Sequence, residues 1–358
     1  MFDSVAKSGL AALILLTLVC QVSDLAIADE DAIAATTSSS INEALVDERE
    51  FSPYLDGEWI GQGVSYGPYR EGESPGGLQP TREELTEDLN LISKRWHLIR
   101  MYGSSEVAED VLSIIQEEDL PLRVMLGAWI TRETESDKLT ADVAKSAKLS
   151  NRTEAMEVIR LANAYPDEVI AVSVGNETQV YWSDHLTETD VLVRNIRKVR
   201  DATIVPVTTA DDFNFWNKPE SKLVADEVDF IVTHIHPMWA GLEASNAMQW
   251  TERIFGEISE YHPAKTIVIG EAGWATNVHT EGEQAKLIKG TAGEKQQQLY
   301  YQQFTDWAGA QKVCTFFFEA FDEPWKGGPH PNEVEKHWGL FKVNREPKSA
   351  LTPIEISQ

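Results

Sequence analysis

Eight short apolar runs recur along this chain, at 59–66, 97–102, 122–129, 169–175, 205–209, 229–236, 266–270 and 313–320. Between them lie longer segments with helical period, clearest at 82–94, 153–164, 187–200, 245–261 and 294–308. Strands that are apolar throughout, rather than on alternate residues, are buried on both faces. With helices between them they form a parallel sheet covered on each side. Eight such units over about 290 residues match a single-domain α/β fold, the (β/α)8 TIM barrel. The weakest unit is the fifth, where only 219–225 can supply a helix. An open doubly wound sheet is the alternative. It would need a Gly-rich phosphate loop after the first strand, yet Gly61-x-Gly63 lies inside that run and Tyr66 stands where the third glycine belongs.

The barrel is expected over 53–345, followed by a C-terminal tail at 346–358. Lys7, an apolar stretch from Leu10 to Val19 and Ala26-Ile27-Ala28 read as a secretory leader over 1–28, too short for a membrane span. Cys20 could mark a lipoprotein, but Val19 before it is larger than lipid-attachment sites accept. Residues 29–52 are acidic and rich in Ala, Ser and Thr, and read as a disordered linker. A secreted, periplasmic or cell-wall-associated monomer follows, with no membrane insertion once the leader is removed. Only Cys314 then remains, so no internal disulfide can form, and its apolar run places it in the core. The net charge of −27, from 58 acidic and 31 basic residues, repels nucleic acid and anionic membranes. It suits a neutral or cationic substrate. No cofactor is expected.

Polar and aromatic residues gather at the C-terminal ends of these runs, where a barrel of this type does its chemistry. Glu177 and Glu271 end the fourth and seventh runs, and two facing carboxylates suffice to cleave a glycosidic bond. Glu177 is the candidate general acid, a role that needs a proton retained by burial and a nearby carboxylate. Glu271 is the candidate nucleophile, kept ionised by Arg100 or a tyrosine hydroxyl. A lone glutamate after a strand would merely cap the next helix; two on separate strands argue otherwise. Asn176 is placed to bond a sugar 2-hydroxyl, although Asn176-Glu177-Thr178 is also a glycosylation sequon. A second sequon, Asn151-Arg152-Thr153, is expected in a surface loop. Tyr66 and Tyr102 end the first two runs. His234 and His236 face one side of the sixth, and a metal there would need further ligands from other strands. No other strand end carries a histidine, so no metal is expected and His236 should reach the sugar or Glu271. Trp129, Trp182, Trp216, Trp239, Trp274 and Trp325 also fall at or after strand ends, as in a carbohydrate cleft.

Five motifs in order resemble glycoside hydrolase family 17, the β-1,3-glucanase family of retaining (β/α)8 glycosidases. They are Arg100-Met101-Tyr102, Gly175-Asn176-Glu177, Glu271-Ala272-Gly273-Trp274, Phe321-Asp322-Glu323-Pro324-Trp325-Lys326 and Glu335-Lys336-His337-Trp338-Gly339-Leu340-Phe341. The resemblance spans Gly61 to about Val343. It implies a retaining β-glucan hydrolase acting on β-1,3 linkages, with Glu177 as acid/base, Glu271 as nucleophile, and Trp274, Glu323 and Lys326 joining the site. A glucanosyltransferase with the same glutamates is the near alternative; a non-catalytic sugar-binding protein and a metal-dependent hydrolase are the distant ones. The sixth strand ends His234-Ile235-His236-Pro237 where plant members show Asn-x-Tyr-Pro, and Ala275 replaces a proline after the nucleophile motif.

Overall fold

The protein is described here from a computed structural model covering residues 48–105, 107–135 and 140–352. The expected leader and most of the expected linker lie outside these residues. A two-stranded antiparallel hairpin comes first, β1 (Tyr54–Leu55) and β2 (Glu58–Trp59). Its turn is Asp56-Gly57, both with positive φ, the sequence that a tight hairpin demands. The expected first strand thus splits: only β3 (Gln62–Ser65) enters the barrel.

Seven more strands follow: β4 (Leu98–Arg100), β5 (Arg123–Ala128), β6 (Val169–Asn176), β7 (Val207–Asp212), β8 (Ile231–His234), β9 (Ile267–Ala272) and β10 (Thr315–Phe317). They pair in parallel in chain order, and β10 closes on β3. The (β/α)8 barrel read from the alternation is borne out. Its crossovers are α1 (Arg82–Ile92), α2 (Ala108–Glu117), α3 (Ala141–Ala164), α4 (Thr189–Ala202), the short pair α5 (Phe213–Trp216) and α6 (Ser221–Ala225), α7 (Ala244–Tyr261), and α8 (Gly282–Leu287) with α9 (Glu294–Gln311). The fifth crossover is short, as expected.

Local chemistry explains several boundaries. α1 starts at a capping box in which Thr81 accepts from the Glu84 amide and Glu84 accepts from that of Thr81. α3 begins twelve residues before the expected Thr153. Its first half is mostly solvated and carries little apolar period, and Thr153 sits inside it with its hydroxyl on Leu149 O. Asn151, expected in a surface loop, is buried in α3 and bonds both backbone groups of Thr131. α4 begins at Thr189, two residues after the expected start at 187. β7 runs on to Asp212, where the buried Asp211 accepts from the amides of Gln179 and Asp212 at 2.8 and 2.9 Å.

The barrel interior is filled by Leu98, Met125, Ala171, Ala210, Val232, Val268 and Phe316. Phe51, stacked on Phe230 with ring centres 4.4 Å apart, joins this cluster. Arg49 bonds Asp229 and the Val205 carbonyl. The packed unit therefore takes in residues expected in the linker, because Phe51 is the apolar group that covers the strand starts. At the other end it takes in buried Lys348 and Leu351, where a tail was expected beyond 345. Cys314 is buried and free.

One buried ion pair ties α1 to the segment after β10. Asp88 accepts from Arg345 at 2.6 and 2.8 Å, from Arg70 at 3.0 Å and from the Tyr66 hydroxyl at 3.3 Å. Asp88 and Arg345 are both buried. Removing one partner of such a pair strands the other charge in low dielectric. Asp88→Ala should therefore lower unfolding free energy by about 3–5 kcal/mol in urea titration; a loss below about 1 kcal/mol would mean that water reaches Arg345.

Candidate active site

β6 ends in a turn that only particular residues tolerate. Gly175 has φ of 82°, and a Cβ there would lie 3.0 Å from both the Leu192 and Thr178 side chains. Glu177 itself has φ of 50°, a left-handed conformation costing a non-glycine residue on the order of 1 kcal/mol. Three bonds hold it: Glu177 N to Ala210 O, Gln179 N to Asp211 Oδ2 and Thr187 N to Thr178 O, all 2.8–2.9 Å. The turn brings Glu177 Oε1 to 2.9 Å from His234 Nδ1.

Glu271 lies in β9, buried. Gly270 before it permits the packing of β8, since a Cβ would sit 2.3 Å from Val232. Arg100 Nη1 donates to Glu271 Oε1 at 2.7 Å, and the Tyr102 hydroxyl donates to the same oxygen at 3.0 Å. His236 Nε2 is 3.2 Å from Oε2, and His234 Nε2 is 3.4 Å from Oε1. Burial opposes ionisation of Glu271. His234, the bond from His236 and the Arg100 charge outweigh it and hold the carboxyl well below the usual carboxylate range. Arg100 Nη2 also donates to Asn176 Oδ1 at 2.6 Å, linking β4, β6 and β9. Glu177, His234 and Glu271 each present an atom within 4.8 Å of the others. That trio could hold a cation, but Arg100 already supplies positive charge to Glu271.

A second cluster leaves β10. Lys326 Nζ lies 2.5 Å from Glu319 Oε2 and 2.6 Å from Glu323 Oε2, and the Trp325 indole donates to Glu323 Oε1 at 2.9 Å. Burial opposes the Lys326 charge, but the two carboxylates reverse that and keep it protonated. Burial pushes Glu319 up; Lys326 opposes this and Glu323 reinforces it. Glu319 was not singled out from the sequence; its signal was a carboxylate directly after an apolar strand. Asp211 and Asp212, at the end of the longer β7, were missed because that strand was cut short. Burial is the largest cause pushing Asp212 up to about 6, and the nearby Glu177 charge adds to it.

Two expected substrate contacts are not in the site. Tyr66 is 1% exposed and its hydroxyl goes to Asp88. Trp274 is 0% exposed and its indole donates to Thr291 O. Each follows a site strand, but its side chain turns to the helix layer, where an aromatic ring gains most from burial. Trp216 is likewise core, whereas Trp182 and Trp325 are exposed. A cavity of about 470 Å³, lined by Trp239, His279, Glu333 and Glu335 among others, opens from the loops after β8, β9 and β10.

Residues 63–339 match the BtgE/BtgC glycoside hydrolase domain. The chain belongs to this family and is a glycoside hydrolase. The hydrolase is 26% identical over 289 residues to a glucan 1,3-beta-glucosidase of Arthroderma benhamiae, an alignment covering 76% of this chain and 86% of that one. Its fold is shared by an endo-laminarinase from Formosa, with TM-score 0.69 at 24% identity over 82% of this chain and 86% of the other. A family 17 β-1,3-glucanosyltransferase from Rhizomucor miehei gives TM-score 0.62 at 23% identity, over 81% and 96%. The family 17 resemblance read from the motifs is borne out.

The hydrolase should report the His236–Glu271 contact in its pH response. Burial would lower the His236 pKa, but the bond and charge of Glu271 raise it above its ordinary 6.5. A raised folded-state value adds stability fully below the unfolded value, lost as pH rises through the folded one. The destabilisation caused by His236→Gln should therefore be larger at about pH 5 than at about pH 9. Equal losses in denaturant titrations at both pH values would rule out a charged His236.

Proposed function

We propose that this chain is a retaining hydrolase of β-1,3-glucan that works by double displacement, with Glu271 as nucleophile and Glu177 as acid/base. One observation carries the reading: two carboxylates whose oxygens approach within 4.8 Å, one of them held ionised. Retaining pairs stand about 5–5.5 Å apart, whereas inverting pairs leave about 6.5–9.5 Å for a water. Glu271 attacks the anomeric carbon while Glu177 gives its proton to the leaving oxygen. A covalent glycosyl-enzyme forms as the glycosidic bond breaks. Glu177, now a carboxylate, takes a proton from water, which displaces Glu271 and restores the starting configuration. Asn176, oriented by Arg100, is placed to bond the 2-hydroxyl as positive charge builds on the ring. The leader-like residues 1–28 support action outside the cytoplasm, and the glucosidase relatives support the choice of linkage.

Glu271→Ala should lower kcat on an aryl β-glucoside by roughly 10⁴-fold or more, and azide should restore turnover as the glycosyl azide of inverted configuration. An azide product of unchanged configuration would exchange the two roles. Glu177→Gln should lose far more rate on laminarin than in the glycosylation step of a dinitrophenyl glycoside, because only the natural leaving group needs a full proton transfer. Equal losses in pre-steady-state measurements would exclude Glu177 as the acid. Reducing-end analysis of laminarin products at high oligosaccharide concentration separates water from sugar as the acceptor.

A further inference from the structure

Large aromatic rings are costly to leave in water, and a contiguous exposed group of them marks an interaction surface. Tyr181 is 84% exposed and Trp182 is 48% exposed. Their rings meet edge to face, with centroids 4.9 Å apart and planes at 84°, forming an open corner. The loop that bears them is tied at both ends. Val180 is buried, Thr187 N bonds Thr178 O at 2.9 Å, and the Thr189 hydroxyl bonds Gln179 Oε1 at 2.7 Å. His185 in the same loop packs edge-on against Trp129. The rings are therefore presented by an anchored loop, on the wall that carries Glu177.

The opposite wall holds another exposed ring. β6 and β10 lie four strands apart in either direction around the eight-stranded barrel, so their loops face each other across its mouth. Trp325, after β10, is 39% exposed; its indole nitrogen is fixed on Glu323 and its ring packs edge-on against Tyr69. Aromatic stations thus stand on both sides of the two glutamates. A general acid lies on the side of the departing oxygen, because it must protonate it.

We propose that Tyr181 and Trp182 form the aglycone-side platform, on which the leaving part of a β-glucan chain stacks before cleavage and an acceptor sugar stacks before transfer. This rests on Glu177 being the acid. Trp325, beside Glu323 and Lys326, then contacts the glycone side. The amphipathic rings fit the C–H face of a neutral pyranose, and the right-angled corner sets the angle at which the chain leaves the cleft.

The test compares laminarihexaose with 4-nitrophenyl β-laminaribioside, whose leaving group carries no sugar. Tyr181→Ala, Trp182→Ala and the double variant should lower kcat/KM on the hexasaccharide, the double variant by about tenfold. The loss on the aryl substrate should be at least about fivefold smaller, and transfer to added laminaribiose should fall with the hexasaccharide rate. Trp325→Ala should depress both substrates alike. Equal losses on the two substrates for the double variant, or none on either, would overturn the platform. Thermal unfolding of each variant checks that the loop change has not altered the fold. Glu177→Gln, run in parallel, reports on the acid itself. If it loses equal rate on both substrates, the acid assignment fails, while the platform is still judged by the aromatic variants.

Discussion

Arg100 is a full charge buried at the C-terminal end of the barrel, and the site is organised around the need to balance it. A guanidinium at 1% exposure has lost almost all of its hydration. Glu271 and Asn176 replace that water, at 2.7 and 2.6 Å, and the Tyr102 ring packs against its face. These partners come from β9, β6 and the end of β4, so the pairing pins three strands in one register. Together with His234 and His236, the same contact keeps Glu271 ionised in a place where burial alone would protonate it. The charge of Glu271 thus rests in part on a neighbour that the fold cannot leave unpaired.

The molecule divides its physical tasks between the two ends of the barrel. Phe51, Ile60, Phe230 and their neighbours fill the end where strands start, with ordinary apolar packing. The other end holds Arg100, Glu271, His234, Glu319, Glu323 and Lys326, all buried or nearly so, in bonded clusters. It also holds the left-handed backbone at Glu177. Polar burial and backbone strain weaken a fold unless other parts over-determine it. Here the closed strand ladder and the helix layer do so, and the Asp88–Arg345 pair fastens the segment after β10 to α1.

Much of this was legible in the chain. The eight apolar runs pointed to the barrel, because strands buried on both faces with interleaved helices form a covered parallel sheet, and the missing Gly-rich phosphate loop disfavoured the open one. The glutamates, Arg100, Tyr102 and His236 could be picked out because each ends an apolar run with a group that apolar packing cannot explain. Boundaries failed where burial and polarity part company. Asp211 is polar yet buried, so β7 looked shorter than it is and its aspartates went unnoticed. The first half of α3 is solvated, so it showed no period.

What the sequence by itself determined was therefore the architecture and the place of Glu177 and Glu271 at strand ends, since both follow from local pattern and from residue types that have no role in a core. The direction of each side chain was decided only in three dimensions. Tyr66 and Trp274 end site strands just as Tyr102 does, yet they turn outward to Asp88 and Thr291, while Tyr102 turns to Glu271. That choice depends on which neighbouring strand or helix offers a bond and a space, and those neighbours are far away in the chain. The pairing of Lys326 with Glu319 as well as Glu323, and the separation of Glu177 from Glu271, are likewise set by barrel closure, which brings distant strand ends to one mouth.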